Sequence, residues 1–465
     1  MFEYDVGEDA GGAPGFPGVP DAAAVVEPAL ARIEAVRAAL ALGGTRLGEA
    51  GLVDLLSGLE AVKSAAGAYQ ARAAVALRER AVRREAAAGV DPEKRGQGVG
   101  AQVALARRES PHEGSRLLGF ARAMVDEMPH THEAFRAGEI SEWRATLLVG
   151  ETACLELEDR KKVDAALMAD PRTIEGVGNR KLKAMARHLA EQASPKAAVE
   201  RARRAVGDRH VSLRPAPDTM AILTGSLPVG QGVAVLKALT RAADLATATG
   251  DARSRGQIMA DTLVERVTGQ QRAEGMRVEI QLVMTDRTLF QGDTEPAHLQ
   301  GYGVVPAQVA RDMIREATRA ARLSTATPQE PTDGQESNAP PGPDSLAWIR
   351  RLYTAPATGE LVGLDSRARL FPRGLRRFIE VRDQTCTRPW CDAPIRHMDH
   401  ILAWAGGGAT VAENGQGTCV RCNHTKEALN WHSRKVAGAR HTVETTTPTG
   451  HVYRSQAPAL PGTAD

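Results

Sequence analysis

The sequence predicts a mostly α N-terminal region with a small β-sheet, an α+β arrangement, followed by a small C-terminal domain stapled by cysteines. Three observations carry this reading. Apolar residues recur at helical spacing, as in Val25, Leu30, Ile33, Val36 and Leu40, within a background rich in Ala, Arg, Leu and Glu. Val278, Ile280, Leu282 and Met284 alternate with Arg277, Glu279 and Gln281, the period of a half-buried strand. Four of the five cysteines and four of the five tryptophans (Trp348, Trp390, Trp404, Trp431) fall in the last quarter, where a small domain needs large side chains or staples.

At 465 residues the chain exceeds what one core normally organises, so about two or three domains are expected. A net charge of only +2 gives no global polybasic field. Four clustered cysteines leave only Cys154, in a helical run, which argues against a disulfide framework. The acidic start, Met1-Phe2-Glu3-Tyr4-Asp5, lacks the basic and apolar parts of a signal peptide, and no apolar run approaches a membrane span. These features predict a soluble cytoplasmic protein with no membrane partner.

Residues 1–20 are rich in Gly and Pro and are read as disordered. A helical region of unknown function follows over 22–322. Within it Ser110-Pro111-His112-Glu113 reads as a capping box with Pro at the first helical position, opening a helix toward Val125. Further helices are expected around 140–168, 172–205 and 229–247, with two short strands between His210 and Leu227 about Pro215-Ala216-Pro217-Asp218. The basic runs Arg180-Lys181-Leu182-Lys183 and Arg201-Ala202-Arg203-Arg204 are read first as solvated helix faces, with guidance to DNA or a partner as the alternative. Residues 323–345, rich in Pro, Ser and acids, form a disordered linker. The domain of interest spans 346–441, and 442–465 is a tail in which Pro448-Thr449-Gly450 turns between two short strands.

The chemistry gathers at the C-terminal end. Cys386 and Cys391, then Cys419 and Cys422, form two short-spaced pairs with 27 residues between them. Two such turns can wrap one tetrahedral Zn²⁺, and a site of four cysteines is structural because it lacks an open position for water. Inside the gap stands Asp399-His400, and directly after the second pair stand Asn423 and His424. A hard oxygen ligand, a base and a further ligand are what metal-assisted hydrolysis needs. Between Asp365 and Arg388 seven arginines face three acids, and Arg373, Arg376, Arg377, Arg382 and Arg388 could clamp a DNA backbone or form a solvated helix face. His397 is read as supporting or surface, and His432, His441 and His451 as surface.

The segment Arg382 to Trp431 resembles an HNH nuclease module of the four-cysteine, zinc-stapled type. The matching residues are Asp399-His400-Ile401, Gly406-Gly407-Gly408 with Thr410 and Asn414, and Cys419, Cys422, Asn423 and Lys426. Gly415-Gln416-Gly417 stand where apolar residues are usual, which leaves the length of the second strand open. The resemblance implies a ββα-metal fold (His-Me finger), with His400 as the general base of phosphodiester hydrolysis. Asp399 and Asn423 would hold Mg²⁺ or Mn²⁺, with His424 second to Asn423, and Asn414 would tie the loop that orients His400. Zn²⁺ would be a staple beside the site, and Lys426 would join the arginines on DNA. Residues 22–322 resemble the family called domain of unknown function 222, on Ala137-Gly138-Glu139-Ile140-Ser141, Gly301-Tyr302-Gly303 with Pro306 and Arg311, and Arg367 with Phe371-Pro372. That likeness implies an architecture and no chemistry.

The expected function is a metal-dependent DNA endonuclease, with RNA as an alternative substrate. Two rivals stand beside it: a catalytically inactive zinc-stapled DNA-binding or regulatory protein, and a helical scaffold that binds a protein partner.

Overall fold

A computed structural model describes residues 22–41, 43, 46–269, 282–324, 365–366 and 370–462. The start at 1–20, Val278 and Ile280 of the alternating stretch, Trp348, Arg367, Arg369 and nearly all of the 323–345 linker lie outside these. The chain divides into two compact units, Met1–Lys63 and Ser64–Asp465. The first holds α1 (Ala22–Ala41) and the opening turns of α2 (Glu49–Ala87), with exposed ion pairs such as Lys63 to Glu60 at 2.7 Å.

The second unit continues through α3 (Val99–Arg107), α4 (Pro111–Arg122), α5 (Pro129–Ala137), α6 (Glu142–Thr152), α7 (Leu157–Met168), α8 (Asn179–Ala193) and α9 (Pro195–Gly207). A hairpin of β1 (His210–Pro215) and β2 (Ala221–Ser226) leads to α10 (Val229–Ala248) and α11 (Arg255–Thr268). Then come β3 (Leu282–Val283), α12 (Asp286–Phe290), β4 (Ala297–Leu299), β5 (Gly303–Val305) and α13 (Ala307–Ser324), with β4 central in an antiparallel sheet. The region is mostly helical with small sheets, as the sequence predicts.

Local chemistry explains the ends of these helices. The Ser110 hydroxyl accepts from the Glu113 backbone N–H at 3.2 Å and Pro111 follows it, so α4 starts where expected. The Glu113 carboxylate turns to Arg116 instead of back to the cap. Gly138, at φ 82°, ends α5, and Ser141 caps α6. The helices expected over 140–168 and 172–205 are each two. The first breaks between Thr152 and Leu157, and the second at Ser194, whose hydroxyl caps α9 ahead of Pro195. Phe135, Met128, Leu148, Leu167 and Leu182 fill the main core, with half-buried Cys154 against it. Among the described residues no helix is long and apolar enough to cross a membrane.

The C-terminal part is strand-rich. β6 (Asp365–Ser366) pairs with β8 (Thr410–Val411), and α14 (Arg373–Asp383) lies against β9 (Gly415–Thr418). β7 (His397–His400) and β9 form an antiparallel hairpin, with His397 opposite Thr418 and His400 opposite Gly415, and α15 (Val420–Lys426) packs on it. Two strands and a helix of this kind are the unit expected here. A second core joins Phe371, Leu375, Phe378 and Ile379 to Ala412 and Leu460. β10 (His432–Val436), β11 (Thr442–Thr446) and β12 (Val452–Gln456) complete it as one antiparallel sheet with β11 in the middle. The stretch from Thr442 that reads as a tail in the sequence is thus two strands of a sheet that begins at His432, with the turn at Pro448-Thr449-Gly450 as expected.

Candidate active site and thiol cluster

Close packing explains why β9 is built from glycine. A Cβ on Gly415 would lie within 3.0 Å of Ile379 Cδ1 and Phe371 Cε1, and one on Gly417 within 3.0 Å of two Ile395 side-chain carbons. The apolar bulk usual at these positions is supplied from across the interface. Strand β9 therefore keeps all four residues paired with β7.

This hairpin carries Asp399 and His400, whose side chains leave the strand on opposite faces. His400 is buried: its Nε2 lies 2.9 Å from Thr410 Oγ1, and its ring packs 4.5 Å from the Phe371 ring and 6.1 Å from that of Trp404. It lines a cleft of about 310 Å³ together with Arg376, Arg396, His397 and Met398. Arg396, Met398 and His400 follow the alternation of one strand face, so Arg396 could have been found from its spacing to His400.

Asp399 faces the helix. Lys426 Nζ donates to its Oδ1 at 2.9 Å and its Oδ2 at 2.8 Å, and also to the His400 carbonyl oxygen. Gln416 Nε2 adds a bond to Oδ2 at 3.0 Å. Lys426 is thus turned inward instead of standing ready for DNA, because a half-buried carboxylate draws the nearest cation. Asn423 is half-buried with Oδ1 3.5 Å from Thr418 Oγ1, and His424 is exposed. Asn414 accepts from the Leu402 N–H at 2.9 Å and donates to the carbonyls of Leu402 at 3.1 Å and Ala409 at 2.8 Å. It ties both ends of the loop that carries Thr410.

The arginines separate into two groups. Arg382, 4% exposed, donates to Ala412 O at 2.6 Å and Gly415 O at 2.7 Å and pairs with Asp383, whose Oδ2 accepts from the Gly417 N–H at 2.7 Å. Arg388 is buried, with Nη1 2.7 Å from Thr445 Oγ1 and its guanidinium 5.5 Å from the Trp431 ring centre. Both guanidinium groups are consumed by the fold, which corrects the expectation that they face DNA. Arg373 and Arg376 are exposed and Arg377 is half-buried at the start of α14.

His441 is a further correction. Expected at the surface, it is 3% exposed, with Nε2 donating to Glu413 O at 3.2 Å. Burial first, and then the nearby Arg382 charge, hold its pKa down at about 4.

The four cysteines meet in one cluster, with all four sulfurs within 4.8 Å of one another. Cys391 Sγ lies 3.8 Å from that of Cys419 and 3.7 Å from that of Cys422. A tetrahedral zinc with bonds near 2.3 Å sets its sulfurs about 3.8 Å apart, so the spacing fits one Zn²⁺ and no disulfide. The thiols titrate as a set: a hydrogen bond from Cys386 holds Cys391 down at about 4, while Cys419, hydrogen-bonded to Cys386, is pushed up to about 12. Cys386, Cys391 and Cys422 are buried. The cluster sits at the N-terminus of α15, where the Cys419 sulfur accepts from the Cys422 N–H at 3.4 Å.

A helical region leading into a strand-rich ββα module with four clustered thiols defines the class of HNH modules joined to an accessory domain. The chain belongs to the family described as domain of unknown function (DUF222), whose model matches residues 61–340, and an HNH endonuclease model matches residues 384–429 behind it. No curated protein and no solved structure matches the chain.

Proposed function

We propose that this protein is an endonuclease that hydrolyses DNA phosphodiester bonds with a divalent metal ion and a histidine general base. The observation that carries the reading is a buried His400, held by Thr410 and next to a carboxylate that already gathers a cation. His400 takes a proton from the attacking water at Nδ1, while the Thr410 hydroxyl on Nε2 fixes the ring's direction. Arg376 and Arg396, lining the same cleft, receive the phosphate of the scissile bond, and Arg373 and Arg377 extend that contact along the strand. Asn414 holds the loop and touches no substrate.

The donors near Asp399 suit a hard cation. The Asp399 carboxylate and the Asn423 amide oxygen would hold Mg²⁺ or Mn²⁺, with His424 as the substitute for Asn423. A bound ion would stabilise the charge that builds on the phosphate and the departing 3′-oxygen. Cys386, Cys391, Cys419 and Cys422 would hold Zn²⁺, which would staple α15, and with it Asn423 and Lys426, against the hairpin.

The deciding assay is cleavage of plasmid DNA. Nicking or cutting is expected in Mg²⁺ or Mn²⁺ and not in EDTA, leaving 5′-phosphate and 3′-hydroxyl ends. His400→Ala should slow it by about 10²–10⁴, the usual worth of a positioned base. Cleavage unchanged in that variant would remove His400 from the mechanism. One observation favours a second reading, an inactive module that only binds DNA: the Lys426 ammonium covers both oxygens of Asp399. DNA binding with no cleavage across metals and substrates would decide for it.

A further inference from the structure

Away from the HNH module, one part of the described surface concentrates charge. Residues 179–207, the α8–α9 pair, hold eight Lys or Arg against two Glu, while the whole chain has a net charge of +2. The rest of the protein is therefore slightly acidic, and these two helices stand apart from it.

Three of the cations converge on one carboxylate. The Glu151 oxygens lie 3.5 Å from Lys183 Nζ, 2.9 Å from Arg187 Nε and 4.0 Å from Arg201 Nη1, and Arg201 also donates to the Glu151 carbonyl at 3.0 Å. Burial pushes the Glu151 carboxyl up, but the Arg187 hydrogen bond and the charges of Arg187, Arg201 and Lys183 outweigh it and leave the group below its ordinary range. One negative charge thus sits beneath three positive ones, and the helices lock to α6 with positive charge to spare.

Beyond the Glu151 contact the two helices are open. Leu182, Ala186 and Ala190 turn α8 toward the core, leaving Arg180 and Lys181 exposed, and α9, with no buried residue, exposes Arg203 and Arg204. Among the described residues none of Arg180, Lys181, Arg203 and Arg204 has a carboxylate within 4.0 Å. An ordinary solvated helix in this chain looks different: on α7, Lys161 pairs with Glu158 at 3.1 Å and Lys162 with Asp159 at 3.0 Å. Unpaired cations carried on two packed helices add to one positive field, an arrangement that a polyanion relieves.

We propose that the α8–α9 face is a duplex-DNA-binding surface that grips the phosphate backbone without reading sequence, giving the domain of unknown function the task of holding the substrate. Arg and Lys on two adjacent helices match a polymer with one negative charge per ~1.7 Å of axis, and each neutralised phosphate releases counterions. The choice of DNA over an acidic protein rests on the endonuclease reading of the HNH module. Binding is measured without cleavage, so the two ideas fail separately.

The test uses the full chain in EDTA with a fluorescent duplex of unrelated sequence, titrated across salt concentrations. The R180Q/K181Q/R203Q/R204Q variant leaves the three partners of Glu151 in place, so circular dichroism and zinc content should match the parent. Its affinity at low salt should fall by about tenfold or more, and the slope of log affinity against log salt should flatten by about 3.6, near 0.9 for each of the four lost contacts. R180K/R203K/R204K should bind like the parent, because the contact is to charge. Equal affinity and slope in the glutamine variant would overturn the proposal, as would a parent that ignores duplex DNA. If the parent ignores DNA but binds polyglutamate through these same four residues, the surface belongs to an acidic protein.

Discussion

Lys426 and Asp399 form a two-bond ion pair, with Nζ 2.9 and 2.8 Å from the two carboxylate oxygens, at the point where the last turn of α15 meets the end of β7. The lysine is 9% exposed and the aspartate 15%, so the pair is shielded from water and weakly screened by salt. Any divalent ion held by Asp399 has to share or displace this ammonium.

That competition gives the first expectation. Lys426→Met should leave a half-buried carboxylate unpaired and destabilise the module in EDTA by about 1–3 kcal/mol. Added Mn²⁺ should restore the melting temperature, and calorimetry should show tighter Mn²⁺ binding than in the parent. A variant whose stability ignores Mn²⁺ would show that Asp399 holds no ion.

Thr410 is fully buried and its hydroxyl meets His400 Nε2. Thr410→Val keeps the shape and removes that contact. Cleavage should fall by about tenfold, the effect of one lost neutral hydrogen bond of about 1–1.5 kcal/mol, with zinc content and DNA affinity unchanged. An equal rate in single-turnover assays would show that the ring is oriented by other means.

The thiol cluster should carry about one Zn²⁺ per chain. Cys419→Ser should release it and unfold the C-terminal module, since the metal's binding energy is folding energy in small stapled domains. Elemental analysis that finds no zinc in folded parent protein would refute the assignment.

His441 makes stability depend on pH. The unfolded chain takes up its proton near pH 6.5, whereas the folded state waits until about 4. Its contribution is therefore fully present above about 6.5 and is lost as pH falls toward 4, by about 3 kcal/mol at most. Because the thiols also titrate, the measurement is the difference in melting temperature between the parent and His441→Phe. That difference should shift in favour of the variant as the solution is acidified, and a constant difference would sink the idea.

What could be read in advance was local. Ser110 before Pro111 opens a helix, the helix expected around 140 starts after Ser141, and Pro448-Thr449-Gly450 turns between two strands; each acts within a few residues of itself, and the chain folds accordingly. What could not be read depends on distant partners. Arg382 and Arg373 look alike in the sequence, yet Arg382 is absorbed by carbonyls about thirty positions onward while Arg373 stays exposed. The inward turn of Lys426 and the burial of His441 have the same cause, a partner supplied by another element. The glycines of β9 read as a weakness in the strand until Ile379, Phe371 and Ile395 occupy the space they leave.

Leu460, 2% exposed, shares a core with Phe371 and Leu375, and Arg388 reaches across to Thr445. The stretch matched by the HNH model, 384–429, contains Ala412 of that core but none of Phe371, Leu375 and Leu460, and it ends before Thr445. Cut out at those limits it would expose the hydrophobic side of the hairpin and strand an arginine without its acceptor. An excised HNH module for laboratory use has to run from Phe371 to Leu460, close to twice the length that the motif alone suggests.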